Sequence, residues 1–497
     1  MKRLQTQSVL TKLFPFLYID PFKMVFSSIV FLLYFLPVFL LAYYFADIKY
    51  KNIVILFFSI IFYSWGAPKF IFAVLGTTFI DFHIVHWMSD SKNIYKKRLL
   101  LVLSVSMNLG LLFYFKYSNF FIENVNSLLD SISHKHIYFT RVIMPIGISF
   151  FIFETITYVV DVYKGLHKPL KNFWDYQLYI ILFPKLIAGP IIRYHQLADQ
   201  ITDRTRNETI DNKLTGFYRF CIGLAKKVLI ANFMGQQADL IFKMNYADLG
   251  TGTAWVGILC YTFQIYFDFS GYSDMAIGLG KMIGFKFPEN FNNPYTSIGI
   301  TDFWRRWHIS LGSWMRNYLY IPLGGNRVLN NRRLYLNLSL VFLASGLWHG
   351  ASWSFVVWGA YHGLFIILDR LFLIKVYAKL GRIMSILITF IIVVIGWVFF
   401  RVDKLSDAFT YLRRMFSFDF TGTLHYDIQF YTIITLALFF SFFTSIKIGQ
   451  KIQDAVYFNL YDSKRHLAVL VISVALLIVS ISSITASGFN PFIYFRF

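Results

Sequence analysis

Residues Leu334–Leu368 read LYLNLSLVFLASGLWHGASWSFVVWGAYHGLFIIL, with no Asp, Glu, Lys or Arg but two histidines, His349 and His362, each followed by glycine. A segment this apolar belongs in a bilayer. An imidazole placed in hydrocarbon loses its water and needs a hydrogen-bond partner or a wet cavity. An ionisable group at membrane depth is therefore a functional hypothesis, to be weighed against the rest of the chain.

The same reading extends outward. The chain has 497 residues, 57% hydrophobic and 15% charged, with a mean hydropathy of +0.55. Soluble domains run near roughly 25% charged and 45–50% apolar. Val25–Ala46, Leu99–Phe115, Ile383–Phe400, Ile428–Ile446 and Leu467–Phe495 each lack Asp, Glu, Lys and Arg. A spanning helix takes about 20 apolar residues. These runs, with others carrying one embedded charge, predict an all-α polytopic integral membrane protein of roughly ten to twelve transmembrane helices. The net charge of +21 fits basic loops meeting anionic headgroups better than nucleic acid, so the lipid bilayer is the expected partner of those charges. Residues 1–23 read as a basic, aromatic leader and 24–497 as one membrane domain, with the first apolar run retained rather than cleaved. Cys221 and Cys260 sit in apolar sequence and predict neither a disulfide framework nor a metal site.

Lys281–Arg333 never becomes a clean span. Within it, TDFWRRWHISLGSWMRNYLYIPLGGNR starts at Thr301. Thr301 or Asp302 offers an N-cap, and Pro322 with Gly324-Gly325 a stop. Trp304, His308, Leu311, Met315 and Tyr318 recur at spacings of three and four, which predicts one helix face, with Arg305 and Arg316 beside it. Such a helix is expected to be interfacial or re-entrant.

His308 and His349 are the leading candidates for chemistry, since histidine suits general-base work near neutral pH. Gly346 and Gly350 around His349 allow close approach of a backbone or a substrate. His83 and His86 have metal-compatible spacing with Asp81 nearby, but no further ligand pattern, and no metal is expected. Asp268 and Asp274 flank Gly271, and Glu154 and Asp161 lie in another apolar run. Buried carboxylates need partners, for which Arg193, Arg305, Arg306 and Arg316 are the expected cations. In FPKLIAGPIIR, Pro184, Gly189 and Pro190 predict a helix broken within the membrane.

A set of motifs occurs in order along the chain: MVFSS from Met24, PIGISFF from Pro145, YVVDVYKG from Tyr158 and FPKLIAGPIIR from Phe183. FDFSGYSDMAIG from Phe267, NFNNPY from Asn290, FWRRWHISL from Phe303 and YIPLGGN from Tyr320 follow. GLWHGASW from Gly346, GWVFFR from Gly396 and the terminal NPFIYFRF complete it. In these the chain resembles the membrane-bound O-acyltransferases (MBOAT), in the bacterial branch of alginate O-acetyltransferase membrane subunits, and is similar to peptidoglycan O-acetyltransferase membrane subunits. The resemblance implies a multi-helical bundle in the bacterial inner membrane, pierced by a narrow path around a catalytic histidine. That histidine falls on His349 and a second family histidine on His308. It also implies a periplasmic, serine-dependent partner acetyltransferase of the SGNH type.

The expected activity is transfer of an acetyl group from a cytoplasmic thioester, acetyl-CoA most simply, toward a cell-surface polysaccharide. His349 would be base or acyl carrier. His308, an arginine or the Trp348 indole would stabilise thiolate or oxyanion. Trp304, Arg305, Arg306, Arg316, Trp348, Asp268 and Asp274 are candidates for binding the donor or lining its path, and no permanently bound cofactor is expected. Alternatives are a D-alanyl transferase acting on teichoic acid-type polymers and a solute transporter. Transport would call for paired helix breaks in two halves, and the break at Phe183–Pro190 has no evident twin.

Overall fold

The computed structural model describes residues 24–132, 136–328, 330–420, 425–458 and 461–487. The expected leader, residues 1–23, and the terminal NPFIYFRF lie outside them. Among the described residues the regular structure is helical, with no β-strand.

The apolar runs form the outer helices. The N-terminal group comprises α1 (Phe31–Phe45), α2 (Lys51–Gly66), α3 (Phe70–Asp90) and α4 (Ile94–Ile132). Six helices among the described residues are long and apolar enough to cross a membrane, and in five of them the apolar window is a third buried or less. Those five present their apolar faces to lipid. Their helical state needs little tertiary help, because in hydrocarbon every backbone group must be satisfied within the segment.

The inner helices are more polar, so composition alone does not count them as spans. They include α5 (Ile148–Tyr163), α6 (Ile210–Ala225) and α7 (Thr251–Met282). On α5 both Glu154 and Asp161 are buried, and α7 buries Asp268 and Asp274. α6 and α7 cross backbone to backbone. A Cβ on Gly271 would lie 2.7 Å from the Gly223 carbonyl oxygen, and one on Gly216 2.6 Å from that of Gly278. On each helix the two glycines are seven residues apart, which makes the small-residue seam of close membrane helices.

The expected break in FPKLIAGPIIR is present. One helix stops at Ile181, a single turn spans Phe183–Leu186, and Phe183, Pro184 and Lys185 are buried. Lys185 pairs with Glu154 on α5. A Cβ on Gly189 would run into the Lys185 backbone, so the chain folds back there only as glycine.

The expected helix from Thr301 is two helices, α8 (Ile300–Arg306) and α9 (Ile309–Trp314). α8 starts from Gly299, and neither Thr301 nor Asp302 is its N-cap; the Thr301 N–H is instead accepted by Asp369 at 2.7 Å. After α9 come α10 (Asn331–His349) and α11 (Trp353–Leu368). The chain closes with α12 (Arg382–Arg401), α13 (Ile428–Phe442), α14 (Lys447–Tyr457) and α15 (Ser463–Ser487).

Candidate active site

The interruption between α8 and α9 falls on His308, which adopts the left-handed region at φ 45°. That conformation is uncommon for a residue with a side chain, and it persists only where surroundings hold it. Here the NFNN segment holds it. The Asn290 carbonyl accepts from the Ile309 N–H at 2.9 Å, and the Arg306 carbonyl accepts from Asn292 at 2.9 Å. The face expected to run on from Trp304 to Tyr318 is therefore interrupted at His308. Trp304 packs edge-on to His362 and Trp358, at 5.0 and 5.4 Å between ring centroids. His308 turns to Phe269 at 4.7 Å, Trp314 stacks on Phe153 at 3.7 Å, and Tyr318 donates to Asp161 at 2.6 Å.

His349 is the last residue of α10. The final carbonyls of a helix lack intrahelical donors, and here α4 supplies them. The Lys116 ammonium donates to the Trp348 carbonyl and, at 3.3 Å each, to the His349 carbonyl and Ser149 Oγ. The Tyr117 hydroxyl donates to the Leu347 carbonyl at 2.8 Å. Gly346 and Gly350, expected to admit a backbone or a substrate, admit the chain at Phe355: a Cβ on either would strike that residue. Lys116 gave no sign in the sequence, where it reads as one charge closing an apolar run. Lys116→Met is expected to lower turnover about tenfold by loosening the helix end that carries His349, with donor KM unchanged; steady-state kinetics on protein matched for thermal stability checks this.

The two imidazoles face each other at 6.5 Å between centroids. His349 is walled by Trp348 at 4.9 Å, Trp358 at 5.1 Å and Phe400 at 5.1 Å. His308 is 1% exposed and His349 5%. Three of the polar atoms here, His308 Nε2, His349 Nδ1 and Trp348 Nε1, are buried without a hydrogen-bond partner among the described residues. Unsatisfied buried polar atoms are costly, and these three belong to neighbouring rings, with Trp348 6.0 Å from His308 and 4.9 Å from His349 between centroids.

The carboxylates do other work. Asp268 pairs with Lys227 at 2.7 Å, and Asp274 with Arg219 at 2.9 Å and Lys226 at 2.7 Å. Asp161 accepts from His195 as well as Tyr318. None of these ion pairs uses Arg193, Arg305, Arg306 or Arg316, the cations expected from the sequence. Arg305 and Arg316 are exposed, and Arg306 pairs with Asp302 at 3.0 Å. Asp81 accepts from Ser104 and from Asn108, and His86 Nδ1 meets the Phe82 carbonyl at 2.8 Å. Both are thus engaged within α3 and α4.

A cavity of about 780 Å³ lies between α6, α7 and the C-terminal helices. Arg219, Lys226, Asp274, Arg306 and Arg382 line it, and so does Asn290, whose side chain lies 3.2 Å from His308 Nδ1. Of the expected path residues, Asp274 and Arg306 reach this cavity, while Trp304, Arg305, Arg316, Trp348 and Asp268 do not. Its volume falls in the range of roughly 300–1,000 Å³ usual for small-molecule sites.

Residues 164–403 match the model of the MBOAT, membrane-bound O-acyltransferase family. The chain is 44% identical over 396 residues to the probable alginate O-acetylase AlgI of Azotobacter vinelandii, covering 80% of this chain and 78% of that protein. This chain belongs to the membrane-bound O-acyltransferase family. It is also 39% identical to the probable alginate O-acetylase AlgI of Pseudomonas putida, over 95% of this chain and all of the relative. The peptidoglycan O-acetyltransferase of Helicobacter pylori is 36% identical, covering 81% and 82% of the two chains. Membership makes this chain a multi-pass membrane O-acyltransferase. Lys116 and Ser149 of the site lie outside the matched family segment, in the N-terminal helices.

Proposed function

We propose that this acyltransferase takes an acetyl group from acetyl-CoA on the cytoplasmic side of the bacterial inner membrane. It passes the group across, to a periplasmic serine-dependent (SGNH-type) acetyltransferase that modifies an extracytoplasmic polysaccharide. The observation that carries the reading is the pair of facing imidazoles with a cavity, lined by Arg219, Lys226, Arg306 and Arg382 and by Asp274, Glu289 and Asp454, that ends one side chain away, at Asn290.

Orientation supports the direction of transfer. The end of α1 lies with the end of α7, the starts of α2 and α6 and the helix at Phe173–Ile181, tied together by Tyr43 to Glu208 and Ile283, Tyr44 to Met282 and Asn52 to Asp175. The order of the chain brings the ends of α3 and α5 to the same face. That face carries Lys49, Lys51, Lys92–Arg98, Lys164–Lys171, Arg204–Lys213 and Lys281–Lys286. The positive-inside rule puts it in the cytoplasm. Asp274 lies eight residues, about 12 Å, from the cytoplasmic end of α7, whereas Lys116 lies about 33 Å along α4 from its cytoplasmic start. These depths support a donor that enters from the cytoplasmic side, with His349, held by Lys116, deeper in a core about 30 Å thick.

Arg382, with Arg306 beside it, suits the phosphates of a CoA-type donor, while Arg219 and Lys226 are engaged by Asp274 and Glu289. Of the two imidazoles, one receives the acceptor hydroxyl's proton and the other faces the thioester carbonyl, with the Trp348 indole N–H available to the developing oxyanion. Relatives named for alginate and peptidoglycan acetylation support a polysaccharide as final acceptor. The test uses purified protein in liposomes, radiolabelled acetyl-CoA and a purified serine-dependent partner. Donor-dependent acetylation of the partner is expected, with none of the polymer by the membrane protein alone. Reaction only with an aminoacylated carrier protein would turn the assignment to D-alanyl transfer.

A further inference from the structure

Three C-terminal helices stand around the outer side of the cavity. α13 rests on residues 226–231 and the turn at Pro294–Thr296, and α15 rests on α6 and on residues 226–231. Both lean on the inner helices rather than on each other, and both face lipid along most of their length. Leu436 and Phe440 of α13 and Leu476 of α15 nevertheless line the cavity, and Leu436 is 40% exposed and Phe440 44%. The gap between the two helices therefore joins the cavity to the bilayer. It lies at acyl-chain depth: Leu436 is six residues, about 9 Å, from the end of α13, and Leu476 thirteen residues, about 20 Å, from the start of α15.

α14 connects the cytoplasmic ends of these two spans and borders the gap on that side. Gly449 sets its corner, because a Cβ there would run into the Phe443 carbonyl. Its inner side holds the bundle: Asn293 donates to Gln453 at 2.7 Å, and Tyr457 lies over Arg219 and Lys226 at 5.0 and 5.8 Å. Its outer side sets Lys447 and Lys451 beside Ile448 and Ile452, all four exposed. Lysines next to exposed isoleucines mark a helix lying at headgroup level, and on the cytoplasmic leaflet such cations meet anionic lipid. Ile452 also lines the cavity, so headgroup layer and cavity meet at this residue.

We propose that the gap between α13 and α15 seats one anionic phospholipid of the cytoplasmic leaflet, with its phosphate at Lys447 and Lys451 and one acyl chain in the outer part of the cavity. The chain packs against Leu436, Phe440 and Leu476, where hydrocarbon recovers the dispersion contacts that a void forfeits. Arg306 and Arg382 are left to the donor. The lipid thus completes the cavity wall and keeps the donor's polar end out of the bilayer.

Binding of the lipid is independent of the acyl-transfer reading, and only its effect on turnover rests on that reading. The test uses the purified full chain, delipidated in detergent, and native mass spectrometry. The probes are dioleoyl phosphatidylglycerol, dioleoyl phosphatidylcholine and glycerol phosphate, which has the charge without the chains. One phosphatidylglycerol retained per chain is expected, with phosphatidylcholine held more weakly and glycerol phosphate not at all. Lys447→Gln combined with Lys451→Gln should weaken retention of phosphatidylglycerol about tenfold and leave that of phosphatidylcholine unchanged. Leu436→Trp, which fills the gap without touching a charge, should abolish retention of both lipids at an unchanged thermal midpoint. Equal retention of the two lipids, or binding of glycerol phosphate alone, overturns the proposal. So does undiminished retention by Leu436→Trp, which would put the lipid on the outer surface. In liposomes, acetyl transfer should rise severalfold when phosphatidylglycerol replaces phosphatidylcholine, and equal rates in both would overturn the lipid's part in closing the cavity. No transfer in either liposome, with phosphatidylglycerol retained, would sink the proposed donor and leave the lipid site standing.

Discussion

His349→Ala is expected to leave an inserted, folded protein whose acyl transfer falls by about 10²- to 10⁴-fold, the usual contribution of a positioned acid–base group. The truncation spares what holds the helix end. Lys116 and Tyr117 bind the carbonyls of Leu347, Trp348 and His349, which alanine keeps. The walls of Trp348, Trp358 and Phe400 pack on other neighbours as well, so the lost ring leaves a small hole rather than a collapsed core. The measurement is acetyl transfer per mole of protein, with gel-filtration profile and thermal midpoint recorded beside it. Transfer at the wild-type rate by well-folded His349→Ala would remove this residue from the reaction.

Glu154→Leu is expected to destabilise the protein severely, by about 3–5 kcal/mol, because it strands a buried ammonium without its counter-charge. Lys185 is completely buried and Glu154 nearly so, and the two pair directly. The lysine sits inside the broken helix at Phe183–Leu186, where its backbone also touches Gly189. Losing the pair thus attacks a place where the membrane core holds irregular backbone. Replacing both partners by leucine should recover much of the loss, since a buried pair exchanged for apolar side chains is often close to neutral. Thermal unfolding in detergent of the single and double variants checks this, and a single variant as stable as the wild type contradicts it.

Much of the architecture was legible before any coordinates. Val25–Ala46 and Leu99–Phe115 are apolar all round, and such helices form wherever the solvent is lipid. The break at Pro184–Pro190 was equally legible, because proline and glycine act on the backbone locally. The break at Trp307–His308 was not. No proline or glycine marks it, and the spacing of Trp304, His308 and Leu311 suits a continuous helix. The cations that meet Glu154, Asp268 and Asp274 were misassigned for a related reason: arginines stood near in sequence, whereas Lys185, Lys227, Arg219 and Lys226 stand near in space.

The sequence by itself determined the solvent, the helical class and the two histidines. Apolar length, charge placement and a titratable side chain inside an uncharged run are local properties, readable in order along the chain. Tertiary structure alone decided what those histidines can do. Lys116 reaches His349 across more than two hundred residues, and Asn290 opens α8–α9 by taking up the backbone groups that a continuous helix would have paired internally. A helix in a membrane core stays regular unless another segment satisfies its freed donors and acceptors. The conformation of His308 is therefore a property of the NFNN segment as much as of the residues around the histidine itself.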